Sequence, residues 1–356
     1  MLRRPDLSKF DEAAAGDSDA GVFGLPFSED ESSIVLLPAP WEPTTSYGKG
    51  TAGGPSAIRH ASSQLDLFDP ALSEHGLGAP WRFGIHMLEL VEAHREWNEA
   101  ASAGVSRASE ASSETARAVA IAEVNALSAK FDRSLEERVS QLLDDGRGVG
   151  IVGGDHSVPL GPLRAFGGKY SEFGILHVDA HADLRAAYEG FKGSHASIMY
   201  NVLDQVPQVS SLVQVGIRDL CEEEFYRASD DPRVALHLDS RLRRRVMEGE
   251  RWSALIAEVV AKLPTQVYIS FDIDGLDPAL CPGTGTPVPG GLSFHEAMDL
   301  ILEVVRSGRT VIGFDLCEVS PSAGGEWDGN VGARVLYRLC GAMLYGAGAR
   351  DGERGA

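Results

Sequence analysis

The run Ile175-Leu176-His177-Val178-Asp179-Ala180-His181-Ala182-Asp183 passes from aliphatic to ligand-bearing side chains within a few positions. Its apolar half reads as a strand. A period of two puts Asp179 and His181 on one side of that strand's end, with Asp183 on the turn just beyond. Carboxylates and an imidazole this close would cost several kcal/mol if buried without a counter-charge, because each loses hydration and the carboxylates repel. A divalent cation removes that cost.

Two further strand ends carry the same chemistry. The aliphatic run 149–152 leads into Gly153-Gly154-Asp155-His156-Ser157, and 267–269 leads into Ser270-Phe271-Asp272-Ile273-Asp274, where Asp272 and Asp274 share a face. Open parallel sheets place active sites at the carboxyl ends of their strands. His156, Asp179, His181, Asp183, Asp272 and Asp274 are therefore expected to meet. Four carboxylates with two imidazoles are too rich in oxygen for one tetrahedral zinc. They suit two harder cations such as Mn2+, about 3.5 to 4 Å apart and bridged by carboxylates and a water. Nickel or zinc would displace manganese in vitro by the usual affinity order.

These motifs together resemble the ureohydrolase family, the arginases and agmatinases, over residues 33–345. The resemblance implies metal ligation by the six residues named, with Asp179 and Asp272 touching both manganese ions. It also implies that Glu318, in Cys317-Glu318-Val319-Ser320-Pro321 after the strand 311–316, clamps a guanidinium. His195, in Gly193-Ser194-His195-Ala196-Ser197, becomes the proton relay to the leaving amine, and Asp183 joins Glu318 and His195 in the catalytic set. His177 is in phase with Asp179 and His181 but lies deeper in its strand, so it reads as core or as support for the ligands. Asp277 reads as tying down its turn, and Asp155 as orienting a ligand or capping a helix.

Strands alternating with helical segments, most of the strands aliphatic throughout, imply an α/β protein. With the resemblance, the expected fold is a three-layer α/β/α arginase-like domain around a mostly parallel sheet of about eight strands. Residues 1–31 read as an acidic, partly ordered N-terminal arm and 32–350 as one catalytic domain, with a helical insertion at 93–118. Lys and Arg number 32 against 52 Asp and Glu, a formal charge of −20 that gives no basis for nucleic-acid binding. Cys221, Cys281, Cys317 and Cys340 are scattered without a C-x-x-C, as in a reducing compartment. With no signal-peptide core and no apolar run of about 18 residues, a cytoplasmic protein without membrane segments is expected. The resemblance implies a homo-oligomer, trimer or hexamer.

The activity expected is a manganese-dependent amidinohydrolase, with agmatine cleaved to urea and putrescine as the first reading and a guanidino acid, arginine or free guanidine as the alternative substrates. Arginases hold the amino-acid end of arginine with Asn and Ser between the positions of Asp183 and His195. This chain instead has Leu184-Arg185-Ala186-Ala187-Tyr188-Glu189-Gly190-Phe191-Lys192. Arg185 or Lys192, pointing inward, would favour a guanidino acid such as 4-guanidinobutyrate; Glu189, Glu42, Glu326 or Asp328 would suit an ammonium tail. Trp41, Thr45, Ser46 and Tyr47 are candidate pocket wall, and Trp327 is placed to narrow the pocket toward a shorter substrate or free guanidine. The alternative outside hydrolysis is an inactive metal-binding homologue, against which His195 and Glu318 both argue.

Overall fold

The aliphatic runs of the sequence become eight strands: β1 (Ile34–Ala39), β2 (Ile85–Met87), β3 (Gly148–Gly153), β4 (Phe173–Val178), β5 (Val209–Ile217), β6 (Val234–Leu238), β7 (Gln266–Asp272) and β8 (Thr310–Cys317). The structure is a computed structural model and describes residues 2–351 except 15, 18, 19, 46 and 322–325. All pairings are parallel, in the order β2-β1-β3-β8-β7-β4-β5-β6. Helices cover both faces, as a parallel sheet with two apolar faces requires. One core holds Leu176, Val178, Ile269, Phe271, Phe314 and Leu316. The other holds Ile175, Leu212, Tyr268 and Phe166.

The chain leaves β3, passes over to β4, and only later inserts β7 and β8 between them. The four strands that end in the motifs are therefore neighbours, in the order β3-β8-β7-β4. A crevice opens where the strand order reverses in this way. The Ala-rich stretch forms helices Glu92–Ser109 and Glu114–Asp144. Ala101, Gly104 and Ala108 are buried on the first, and Ala120 and Val124 on the second, so small side chains let the pair approach closely. Within residues 1–31, Val22, Phe23, Leu25 and Phe27 are buried in the core, and the Phe23 ring meets Tyr337 edge-on at 5.0 Å.

The end of β3 is fixed by close backbone contact. Gly154 N–H donates to Ala39 O, Asp155 N–H to Trp41 O, and Glu318 N–H to Gly154 O. A Cβ at Gly154 would lie 2.1 Å from Trp41 O. No side-chain rotation relieves a backbone clash of that kind. Gly154→Ala is therefore expected to lower stability by about 1–3 kcal/mol or more in urea unfolding and to displace His156. Unchanged stability would show that this approach is not tight.

Candidate active site

Each strand end delivers its side chain to one crevice. His156 follows β3, Asp179 and His181 follow β4, Asp272 ends β7 with Asp274 in the next turn, and Glu318 follows β8. Arg218, just past β5, donates to the backbone oxygens of Gly216, Asp274, Leu276 and Val288, tying the β7 turn to its neighbour. His156 Nδ1 lies 2.9 Å from Asp179 Oδ2, 3.2 Å from Asp272 Oδ2 and 3.6 Å from Asp183 Oδ2. His181 Nδ1 lies 3.1 Å from Asp274 Oδ2 and 3.4 Å from Asp179 Oδ1. All six residues expected to bind metal are thus together, and Asp179 lies against both His156 and His181.

The charges do not balance without positive partners. Burial, then repulsion from Asp179, pushes the Asp183 carboxyl well above its usual range. Burial, then Asp274 and Asp179, does the same to Asp272. Burial opposes ionisation of Asp179 too, but His177 and His156 hold it well below the usual carboxylate value. Burial works against a charged His181, yet Asp274 and Asp179 drive it up to about 12. His156 and His181 turn Nδ1 toward carboxylate oxygens, so a proton or a cation must lie between each ring and its carboxylates. Buried, oxygen-rich donor groups of this kind fit divalent cations.

Asp183 and Glu318 have φ of 55° and 62°, left-handed values that few non-glycine residues adopt. Such strain is often found at functional sites. Glu318 lies deep, with Oε1 accepting the His156 N–H at 3.0 Å and Oε2 buried without a partner. A Cβ at Gly285 would be 3.1 Å from that oxygen, so the bare glycine leaves space beside it.

Over the ligands lies a cleft of about 170 Å³ lined by His181, Asp183, His195, Arg185, Tyr188, Asp219, Glu224 and Thr286 among others. His195 Nδ1 stands 3.5 Å from Thr44 Oγ1 and from Ser194 Oγ. Burial, then the charge on His181, lowers His195 to about 4. Arg185 does face the cleft, but its Nε is 3.3 Å from the buried Glu224 carboxylate. Asp219 is exposed on the rim.

Several expected pocket residues lie elsewhere. Trp41 is buried and stacks on Phe131 at 4.4 Å, because its loop turns inward to pair with the β3 end. Tyr47 is 84% exposed, and Ser46 lies outside the described residues. From this loop it is Thr44 that reaches His195. Trp327 opens the helix Trp327–Gly346, is 52% exposed, and donates to Ala279 O, away from the cleft lining. Glu42 accepts the Gly50 and Ala52 N–H groups, and Asp328 the Gly283 N–H, so both brace loops. Asp277 accepts the Ala279 N–H in its turn, and Asp155 accepts the Ser157 N–H and the Ser157 Oγ–H. Glu224 and Asp219 escaped sequence reasoning, since no motif surrounds them, and nothing marks Tyr188 out within the stretch 184–192.

A match to the arginase family spans residues 32–341. An N(1)-aminopropylagmatine ureohydrolase of Thermus thermophilus is 34% identical over 320 residues, covering 90% of this chain and 93% of the relative. An agmatinase of Bacillus anthracis is 32% identical over 314 residues, covering 88% and 91%. The crystal structure of an agmatine ureohydrolase of Thermoplasma volcanium superposes with a TM-score of 0.65 at 24% identity, covering 95% of this chain and 97% of that one. This chain belongs to the arginase family.

The raised carboxyls and imidazoles set a pH dependence for the chelated protein. Asp183, Asp272 and Glu318 hold protons in the fold above the unfolded carboxylate pKa of about 4, so stability falls as pH rises through that window. His156 and His181 stabilise fully below about 6.5 and lose that contribution as pH rises toward their folded values. Asp179, held low, adds stability that stays constant above about 4. Thermal melts in chelator should therefore fall between about pH 5 and 9, and Mn2+ should flatten that slope by replacing protons. A melting temperature that rises over this range in chelator would contradict the charge assignment.

Proposed function

We propose that this chain hydrolyses a guanidino C–N bond and releases urea, with agmatine or a related amine-tailed guanidino compound as substrate and two divalent cations, preferably Mn2+, as cofactors. The observation that carries the reading is the cleft in which His195 and a charged rim stand over the six-residue donor cluster. His156, Asp179, His181, Asp183, Asp272 and Asp274 would hold the cations. When bound, these supply neutralising charge and a water ionised near neutral pH.

The chain's own residues account for the rest. The free Oε2 of Glu318 accepts guanidinium N–H groups and orients the carbon toward the cluster. Low basicity keeps His195 neutral at rest, ready to accept a proton as water adds to the guanidino carbon. His195 then gives that proton to the departing amine nitrogen as the C–N bond breaks. Thr44 and Ser194 steady its ring. Because Arg185 is committed to Glu224, the Asp219 carboxylate is the exposed charge among the described lining residues, and it suits an ammonium tail better than a carboxylate. The relatives named for agmatine and for its aminopropyl derivative support that tail chemistry. Assembly as a homo-trimer or homo-hexamer in the cytoplasm belongs to the same proposal; among the described residues no helix is long and apolar enough to cross a membrane.

Urea release compared by kcat/KM should rank agmatine or N(1)-aminopropylagmatine above arginine, 4-guanidinobutyrate and guanidine. A guanidino acid ranking first would overturn the tail assignment, and urea from none would favour an inactive homologue. His195→Ala should lower kcat by about 10²- to 10⁴-fold with metal content unchanged. Near-normal turnover would require another proton carrier.

A further inference from the structure

One layer beneath the ligands, a row of polar side chains crosses four strands. Register sets Gln214 of β5 beside His177 of β4, His177 beside Ser270 of β7, and Ser270 beside Asp315 of β8. All four are 0% exposed. The next row down is Leu212, Ile175, Tyr268 and Gly313, apolar but for the buried Tyr268 hydroxyl beside Asp315. Buried polar groups cost free energy unless hydrogen-bonded, so an aliphatic row here would be the easier way to fold.

The hydrogen bonds of this row point up into the site. Gln214 Nε2 donates to Ala182 O at 2.7 Å and to His177 Nδ1 at 2.9 Å. The amide cannot be turned round, because Oε1 would then face the Ala182 carbonyl; as it stands, Oε1 is buried without a partner. Since Nδ1 of His177 accepts, its proton is on Nε2, which donates to Asp179 Oδ2 at 2.9 Å. At the other end Ser270 Oγ donates to Asp315 Oδ1 at 3.1 Å, so it accepts from His156 Nε2 at 2.9 Å. That leaves His156 Nδ1 facing the cluster.

We propose that the row Gln214, His177, Ser270 and Asp315 is a positioning layer that sets the tautomers of His177 and His156, aiming the Asp179 carboxylate and His156 Nδ1 at the cation site. His177, although close enough to be counted with the donors, serves as a hydrogen-bond donor to a ligand. Groups that orient ligands in this way typically contribute about 10- to 100-fold to metal affinity. The inference rests on the cation-binding reading above.

The test is calorimetric titration of Mn2+ into chelator-stripped, full-length protein, with thermal melts recorded without metal. His177→Leu removes the donor and should weaken Mn2+ binding by about 10- to 100-fold. His177→Gln keeps an N–H near the position of Nε2 and should stay within a few-fold of the unsubstituted protein. Gln214→Met frees the tautomer and should weaken binding by about tenfold, and it carries the test if His177→Leu does not fold. A His177→Leu protein that melts lower but binds Mn2+ as tightly would make the row mere core and overturn the proposal. Equal loss in His177→Gln would overturn it differently, by making the imidazole itself a ligand. Absence of Mn2+ uptake by the unsubstituted protein would instead remove the cation-binding reading on which the layer depends.

Discussion

Four aspartates converge at the ends of adjacent strands, in a place where water is largely excluded. Like charges so placed cannot all ionise unless positive charge joins them. The site therefore answers to an electrostatic constraint before it answers to a chemical one. Much around it follows: imidazoles turned toward carboxylates, carboxyl groups pushed upward, and a glutamate oxygen left without a partner. Protons satisfy the constraint in the bare chain and bound divalent cations would satisfy it in their place, which would link metal occupancy to stability.

Topology makes that convergence possible. Because β8 and β7 insert between β3 and β4, residues far apart in sequence end on neighbouring strands. The bare backbone at Gly154 then lets the β3 end press against the loop after β1, which brings Thr44 toward His195. Left-handed backbone at Asp183 and Glu318 is a local cost, held by the surrounding packing. Arg218 secures the turn that carries Asp274. Neither Gly154 nor Arg218 lines the cleft, yet each sets where a reacting group stands.

The convergence of the six donor residues was legible in the sequence because His156, Asp179, His181 and Asp272 stand at or just past the ends of aliphatic strands, with Asp183 and Asp274 on the turns beyond. Alternation of strands and helices likewise gave the parallel sheet, although motif spacing says nothing of which strands are neighbours. Loop side chains were harder: an aromatic residue among turn formers looks the same whether it lines a pocket or packs inward, and Trp41 packs inward while Thr44 reaches the site. Trp327 misled for a similar reason, since nothing local shows that it starts a helix on the surface. Gln214, Ser270 and Asp315 each look like a lone polar residue in a strand. Only the register shows that they align with His177.

The central claim is that this carboxylate cluster is completed by two cations sharing Asp179. Electron paramagnetic resonance of the Mn2+-loaded protein, with metal quantified per chain, tests it most directly. The account requires two ions per chain and a spectrum of an exchange-coupled pair that collapses to isolated ions or is lost in Asp179→Ala. One ion per chain at saturation, or two ions with no magnetic coupling, would contradict it.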